Sequence, residues 1–179
     1  MTTLIRKLSS YNILNNLLPG ILFIFFWDRM FPQAQFALNK EAYIENAFIY
    51  YFFGMIISRI GSTIIEEIYK KIKFIKYSEY TDYVNAEKLD SKLSILVETN
   101  NLYRTSTAIF FTLCIAKTVL IMYNNSICSA LEQIFDDSLL MAMLSLLILF
   151  SFSFRKQTNY ITQRVYSVLQ KAPTSPESC

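Results

Sequence analysis

The chain of 179 residues has no histidine, three glycines, four prolines and three cysteines. Without histidine, the commonest general base and the commonest zinc ligand are missing. Cys114, Cys128 and Cys179 are odd in number and widely spaced, so they form neither a metal-ligand pattern nor a disulfide framework. Cys179 closes the polar tail APTSPESC, and with the Cys in last place no CaaX box is expected. Gly20, Gly54 and Gly61 all lie in apolar runs, which leaves no GxGxxG and no phosphate-binding loop. There is no HExxH, no Cys/His pair and no Ser/His arrangement. An intramembrane aspartyl protease needs carboxylates inside its spans, and the apolar runs carry none. The sequence is therefore read as a non-enzyme that takes no cofactor and no metal. Charge is scarce too. Asp, Glu, Lys and Arg make up 17% of the residues, against about a quarter in a soluble domain.

Apolar sequence fills the space. The chain is 53% hydrophobic and 16% aromatic, with a mean hydropathy of +0.30. A helix needs ~20 mainly apolar residues to cross a bilayer, and four runs approach that length: 11–27, 47–65, 107–123 and 138–154. Four such runs in so short a chain leave too little polar sequence to wrap them as a soluble core. The expected fold is an all-α, four-transmembrane-helix membrane protein, a single domain over 1–172, with a disordered tail over 173–179. The first run is followed by WDRMFPQ rather than a small-residue cleavage site, so no cleaved signal peptide is expected.

Orientation follows from lysine and arginine in the connections. Arg6 and Lys7 precede the first run. Seven cations, from Lys70 to Arg104, lie between the second and third, and Arg155, Lys156, Arg164 and Lys171 follow the fourth. The other two connections hold only Arg29 and Lys40 against Asp28, Glu41, Glu45, Glu132, Asp136 and Asp137. Both termini and the long middle connection are thus expected in the cytoplasm.

Residues 63–106 contain neither glycine nor proline, so nothing there forces a break. Ile64, Ile65, Ile68, Ile72 and Ile75 make one apolar stripe. Leu89, Leu93, Leu96, Asn100 and Tyr103 step by four, three, four and three, a coiled-coil period with Asn100 as its single polar member. The simplest arrangement is a cytoplasmic helical hairpin over 66–106. An amphipathic helix over 156–171 should follow the fourth span, with Tyr160, Ile161, Val165, Val168 and Leu169 on one side. Tyr77, Tyr80 and Tyr83 share a face near the hairpin tip. They are either a docking surface for a base or a partner helix, or a hairpin tip with partly buried rings; the basic stretch Lys70, Lys71, Lys73 and Lys76 either contacts an anionic ligand or lipid headgroups, or is a solvated positive-inside face.

Polar groups inside the runs are the most informative, because lipid makes each one costly. Asn12, Asn15 and Asn16 lie on one face below Pro19-Gly20, and they either meet another helix or water, or hydrate at headgroup level. Gly54, Ser58 and Ser62 are four apart, a small-residue face that lets another helix approach closely, with Arg59 beside it. Lys117 falls ten steps into the third run, ~15 Å at 1.5 Å per residue. Its side chain leans back toward its own helix N-terminus. It either reaches Asp28, Asp136 or Asp137 at the outer margin, or faces water in a lumen that would also gather Arg59 and the Asn face. Two cations without intramembrane carboxylates would make such a lumen anion-selective.

The two pairs of spans, the uninterrupted cytoplasmic stretch between them and the segment DSKLSILVETNNLYRTSTAIFF resemble the small multi-span membrane proteins of bacterial anti-phage defence systems, that is, pore-forming effectors or the four-span membrane subunit of the Kiwa type. The resemblance is architectural, covers most of the chain and carries over no catalytic or ligand residue. It implies a homo-oligomer in the bacterial inner membrane, a cytoplasmic partner or signal, and an effect on membrane integrity; no nucleic acid is expected as partner. The rival expectations are a non-conducting scaffold that recruits a cytoplasmic protein, and a small transporter. No internal sequence repeat supports the transporter.

Overall fold

The computed structural model describes residues 13–36, 38, 41–124 and 127–171. Asn12, the cations Arg6, Lys7 and Lys40, and the tail 173–179 lie outside the described residues. Every regular element among those described is helical. In chain order they are α1 (Leu18–Met30), α2 (Tyr43–Ile60), α3 (Glu66–Lys71), α4 (Tyr80–Leu89), α5 (Lys92–Asn124), α6 (Ile127–Asp136) and α7 (Ser138–Lys171). Among the described residues three helices are long and apolar enough to cross a membrane: Tyr43–Lys71, which joins α2 to α3, then α5 and α7.

A π-turn, Ile13–Leu17, leads into α1. Pro19 has no N–H to return to the carbonyl of Asn15, so the regular ladder cannot run through this point. Beyond it α1 crosses α2 at two glycines. A Cβ on Gly20 would sit 1.7 Å from the carbonyl oxygen of Tyr50, and one on Gly54 would sit 1.7 Å from that of Asn16. The close approach needs hydrogen at both Cα atoms. The small-residue face of α2 therefore finds its partner within the same chain.

A second π-turn, Gly61–Ile65, links α2 to α3. The carbonyl of Arg59 accepts the hydroxyls of Ser62 (3.0 Å) and Thr63 (2.7 Å) there. Such side-chain bonds back to the preceding turn bend helices.

The stretch 66–106 differs from the expected simple hairpin. Its first arm stops at Lys71. Lys73 takes φ 57°, a left-handed conformation that is uncommon for a residue with a Cβ. Its N–H donates to the Lys70 carbonyl (3.0 Å), and the N–H of Phe74 donates to that of Tyr69 (2.8 Å). These two bonds make a Schellman ending. The rings of Tyr69 and Phe74, 4.9 Å apart, supply its usual apolar contact. A helix can thus end without glycine or proline, and the chain turns back to place α4 against α7.

The coiled-coil seam is occupied from Leu93 to Asn100, though not by the isoleucine stripe, while Leu89, at the end of α4, is exposed. Leu93 and Ala86 are buried against Ile161 and Val165, with Leu96, Val97, Val168 and Leu169 around them. Gln157 donates to the carbonyl of Leu96 (3.2 Å) and Thr158 to the side-chain oxygen of Asn100 (3.2 Å). The partner of the seam is the C-terminal half of α7. That half is the expected amphipathic stretch 156–171, continuous with the apolar run before it. α5 and α7 have 33 and 34 residues, ~50 Å each, and they form the long axis of the molecule. A larger core of α1, α2, α5, α6 and α7 side chains, including Phe23, Ile57, Leu113 and Leu140, fills the opposite end.

Candidate functional site

Lys117 sits at the α6 end of the bundle. Its Nζ donates to the carbonyl of Met30 (3.1 Å), lies 3.4 Å from Asp137 Oδ2, and is 5.8 Å from the Phe31 ring. Met30 closes α1, where carbonyls lack partners and the helix dipole favours a cation. Asp137 precedes α7, and its Oδ1 accepts the N–H groups of Leu139 (3.1 Å) and Leu140 (3.0 Å). That is an N-cap, worth ~1 kcal/mol. One ammonium thus ties together the end of α1, the side of α5 and the start of α7. Of the carboxylates considered for Lys117, Asp137 is the one it meets. Asp28 instead accepts the N–H of Phe36 (2.9 Å) and holds the loop after α1.

Among the described residues, Asn15, Asn16, Ser58, Arg59 and Ser62 do not gather around Lys117. Asn15 is buried, and Asn16 lies where its carbonyl meets Gly54. Arg59 is exposed on α2, two residues before Gly61, and a Cβ on Gly61 would sit 3.4 Å from Arg104. Arg104 is thirteen residues from Lys117 on the same helix, ~20 Å away. Ser58 and Ser62 are half-buried.

The opposite, α4 end carries a denser polar arrangement. Arg104 Nη1 donates to Glu66 Oε2 (2.7 Å), while Lys70 Nζ lies 2.9 Å from Glu66 Oε1 and 3.2 Å from Glu67 Oε1. One carboxylate so bridges two cations. Lys70 also stands 5.4 Å from the centre of the Tyr77 ring, within cation–π range. Arg104 Nε is buried and has no acceptor. Beside these charges lies a pocket of about 500 Å³, walled by Tyr77, Ser78, Tyr80, Tyr83, Val97, Asn100, Asn101 and Ile161 as well as the three charged groups. Burial, then the Glu66 charge, raises the Tyr77 phenol above its ordinary range. Burial, with Glu87 nearby, pushes Tyr83 up to about 12. Both rings are neutral donors near neutral pH. Deeper in, the Tyr69 and Ser151 hydroxyls are 2.6 Å apart.

The three tyrosines singled out by spacing thus converge on one pocket, with Tyr80 exposed and the other two half-buried. Of the basic stretch only Lys70 joins them. Lys71, Lys73 and Lys76 are exposed, and the carbonyl of Lys76 accepts the Thr162 hydroxyl (3.2 Å). Sequence reasoning missed Glu66 and gave Arg104 no role beyond its charge. The two are 38 residues apart, so no local spacing pairs them. Their one signal is an acidic pair, Glu66-Glu67, and a single base, Arg104, at the margins of two apolar runs.

At the tip, Asp90 accepts Arg164 Nε on Oδ2 (2.7 Å) and the Lys92 N–H on Oδ1 (3.1 Å). The Arg164 contact first, and the backbone bond second, hold its carboxyl below the usual aspartate range. The pair pins the α4–α5 turn to α7.

Comparisons with protein-family models, with curated proteins and with solved structures find no match.

Proposed function

We propose that this chain is a self-associating integral protein of the bacterial inner membrane, with four embedded helices and both termini in the cytoplasm, acting as the membrane effector or sensor subunit of an anti-phage system. The observation that carries the membrane part is the distribution of side chains. Phe48, Phe52, Val119, Met122, Ile148, Leu149 and Phe152 are exposed, while Thr105, Thr107 and Thr158 are wholly buried. Water would favour the reverse, whereas lipid tolerates apolar exposure and drives hydroxyls inward. α1 with its π-turn supplies the fourth embedded segment. At ~50 Å, α5 and α7 exceed a ~30 Å hydrocarbon layer by ~20 Å. That surplus matches the stretch from Lys92 to Arg104 and forms a cytoplasmic cap holding the pocket. The defence role rests on the architectural resemblance, and the cap is the end at which a signal would be received.

The fixed position of Lys117 favours a second reading, in which the protein conducts nothing and the cap recruits a soluble partner. Among the described residues, Lys117, Arg59, Asn15 and Asn16 line no common surface, so a pore would have to form between copies.

Orientation is tested in intact cells on a cysteine-free background. An impermeant maleimide should label Asp136→Cys and leave Tyr80→Cys unlabelled; the opposite pattern sinks the topology. Mass in detergent tests self-association, and a strict monomer removes both it and the pore. Ion flux through vesicles separates effector from scaffold: tight vesicles, with partner capture lost on replacing residues 72–89, select the scaffold.

A further inference from the structure

We infer that the cap pocket binds a phosphate monoester, with Arg104 and Lys70 as the recognising cations and Glu66 as a built-in competitor that occupies them when the ligand is absent. The inference rests on reading the cap as the signal-receiving end, and it adds the chemistry of the signal. Among the lining residues two cations face one carboxylate. Glu66 engages Arg104 through Nη1 alone, and Nε is left buried without an acceptor. A guanidinium satisfies two donors at once when it turns its fork to an oxyanion, so Arg104 gains a bond by moving its fork toward the pocket. Glu66 is not stranded by that movement, because Lys70, 2.9 Å away on its other oxygen, has three donors and can hold Glu66 and the phosphate together.

Competition with Glu66 selects the ligand's charge. A singly charged carboxylate would only replace like with like. A phosphate monoester carries nearly two charges at neutral pH and three strong acceptor oxygens. The walls select its body. Tyr77, Tyr80 and Tyr83 offer ring faces and phenol tips in a volume of about 500 Å³, within the range of small-molecule sites. A planar or apolar group therefore accompanies the phosphate. The pocket opens where the embedded part of α5 ends, so the phosphate can come from a soluble ester or from a lipid headgroup.

The test is titration of the full chain, in phosphatidylcholine nanodiscs, with phenyl phosphate and with inorganic phosphate. Phenyl phosphate should bind saturably and more tightly than the inorganic ion. Glu66→Gln should tighten it about tenfold by removing the competitor, and Arg104→Gln should weaken it at least tenfold. Tyr80 is 79% exposed, so Tyr80→Ala keeps the fold; it should weaken phenyl phosphate and leave inorganic phosphate unchanged. Phosphatidic acid added to the discs separates the sources: suppressed phenyl phosphate binding assigns the site to a lipid headgroup, and unchanged binding assigns it to a soluble ester. A purely structural Glu66–Arg104 pair predicts that Glu66→Gln lowers stability without any gain in binding. Failure of wild type and Glu66→Gln to bind phenyl phosphate or to retain phosphatidic acid overturns the inference, as does binding unaffected by Arg104→Gln. Neither result touches the membrane reading, which the maleimide and mass measurements decide separately.

Discussion

Lys117 Nζ and Asp137 Oδ2 lie 3.4 Å apart, and the same carboxylate caps α7 through its other oxygen. A cation inside an apolar run has thereby become a fastener between helix ends, and its charge is met by an acid brought in by the turn between α6 and α7.

Two substitutions at Asp137 separate its roles. Asp137→Asn keeps a capping oxygen and loses the charge; Asp137→Ala loses both. Alanine should therefore cost about 1 kcal/mol more than asparagine, read as a lower melting temperature in detergent. Equal melting temperatures would show that the cap contributes nothing.

Gly20→Ala and Gly54→Ala each place a methyl 1.7 Å from a backbone oxygen. Backbone cannot move aside as a flexible side chain can, so each should lose 2 kcal/mol or more, at the level of severe overpacking. Gly61→Ala is the control. Its Cβ would meet Arg104 and Ala108 at 3.4–3.5 Å, an ordinary contact, and its melting temperature should stay close to wild type.

Lys73→Gly should stabilise the protein. A Cβ in the left-handed region costs roughly 1 kcal/mol, and glycine removes that cost while keeping both Schellman bonds. The gain offsets glycine's greater unfolded-state freedom, so a small rise in melting temperature is expected. A fall would mean that the Lys73 side chain makes a stabilising contact of its own.

The Asp90–Arg164 clip makes the cap sensitive to acid. A carboxyl held below its unfolded value stabilises above that value, ~3.9, and the contribution is lost as pH falls through the folded one. Hydrogen exchange in α4 should quicken below about pH 4 in wild type, and Asp90→Asn should abolish that step. Tyr83 works in the opposite sense. Its raised phenol value keeps its contribution intact up to pH ~10 and loses it as pH approaches about 12. Phenolate absorbance should show two late-titrating tyrosines, Tyr77 and Tyr83, and Tyr83→Phe should remove the earlier of the two.

Much of this molecule was legible in one dimension. Asn100 stood out as the lone polar member of a seam, and it is buried with Thr158 as its partner. The helix that fills the seam was not legible, because period gives a face and not its occupant. The pairing of Gly54 with Asn16 and of Glu66 with Arg104 joins residues distant in the chain, and no spacing rule connects them.

The sequence by itself determined that the chain is helical and that long stretches of it are too apolar for water, because both properties are sums over local residues. Only the tertiary structure decided where each costly polar group finds its partner. A buried charge is stable where a specific opposite group lies within ~4 Å, and that distance is set by how helices cross and where they end. For Lys117 the deciding fact was the place where α7 begins.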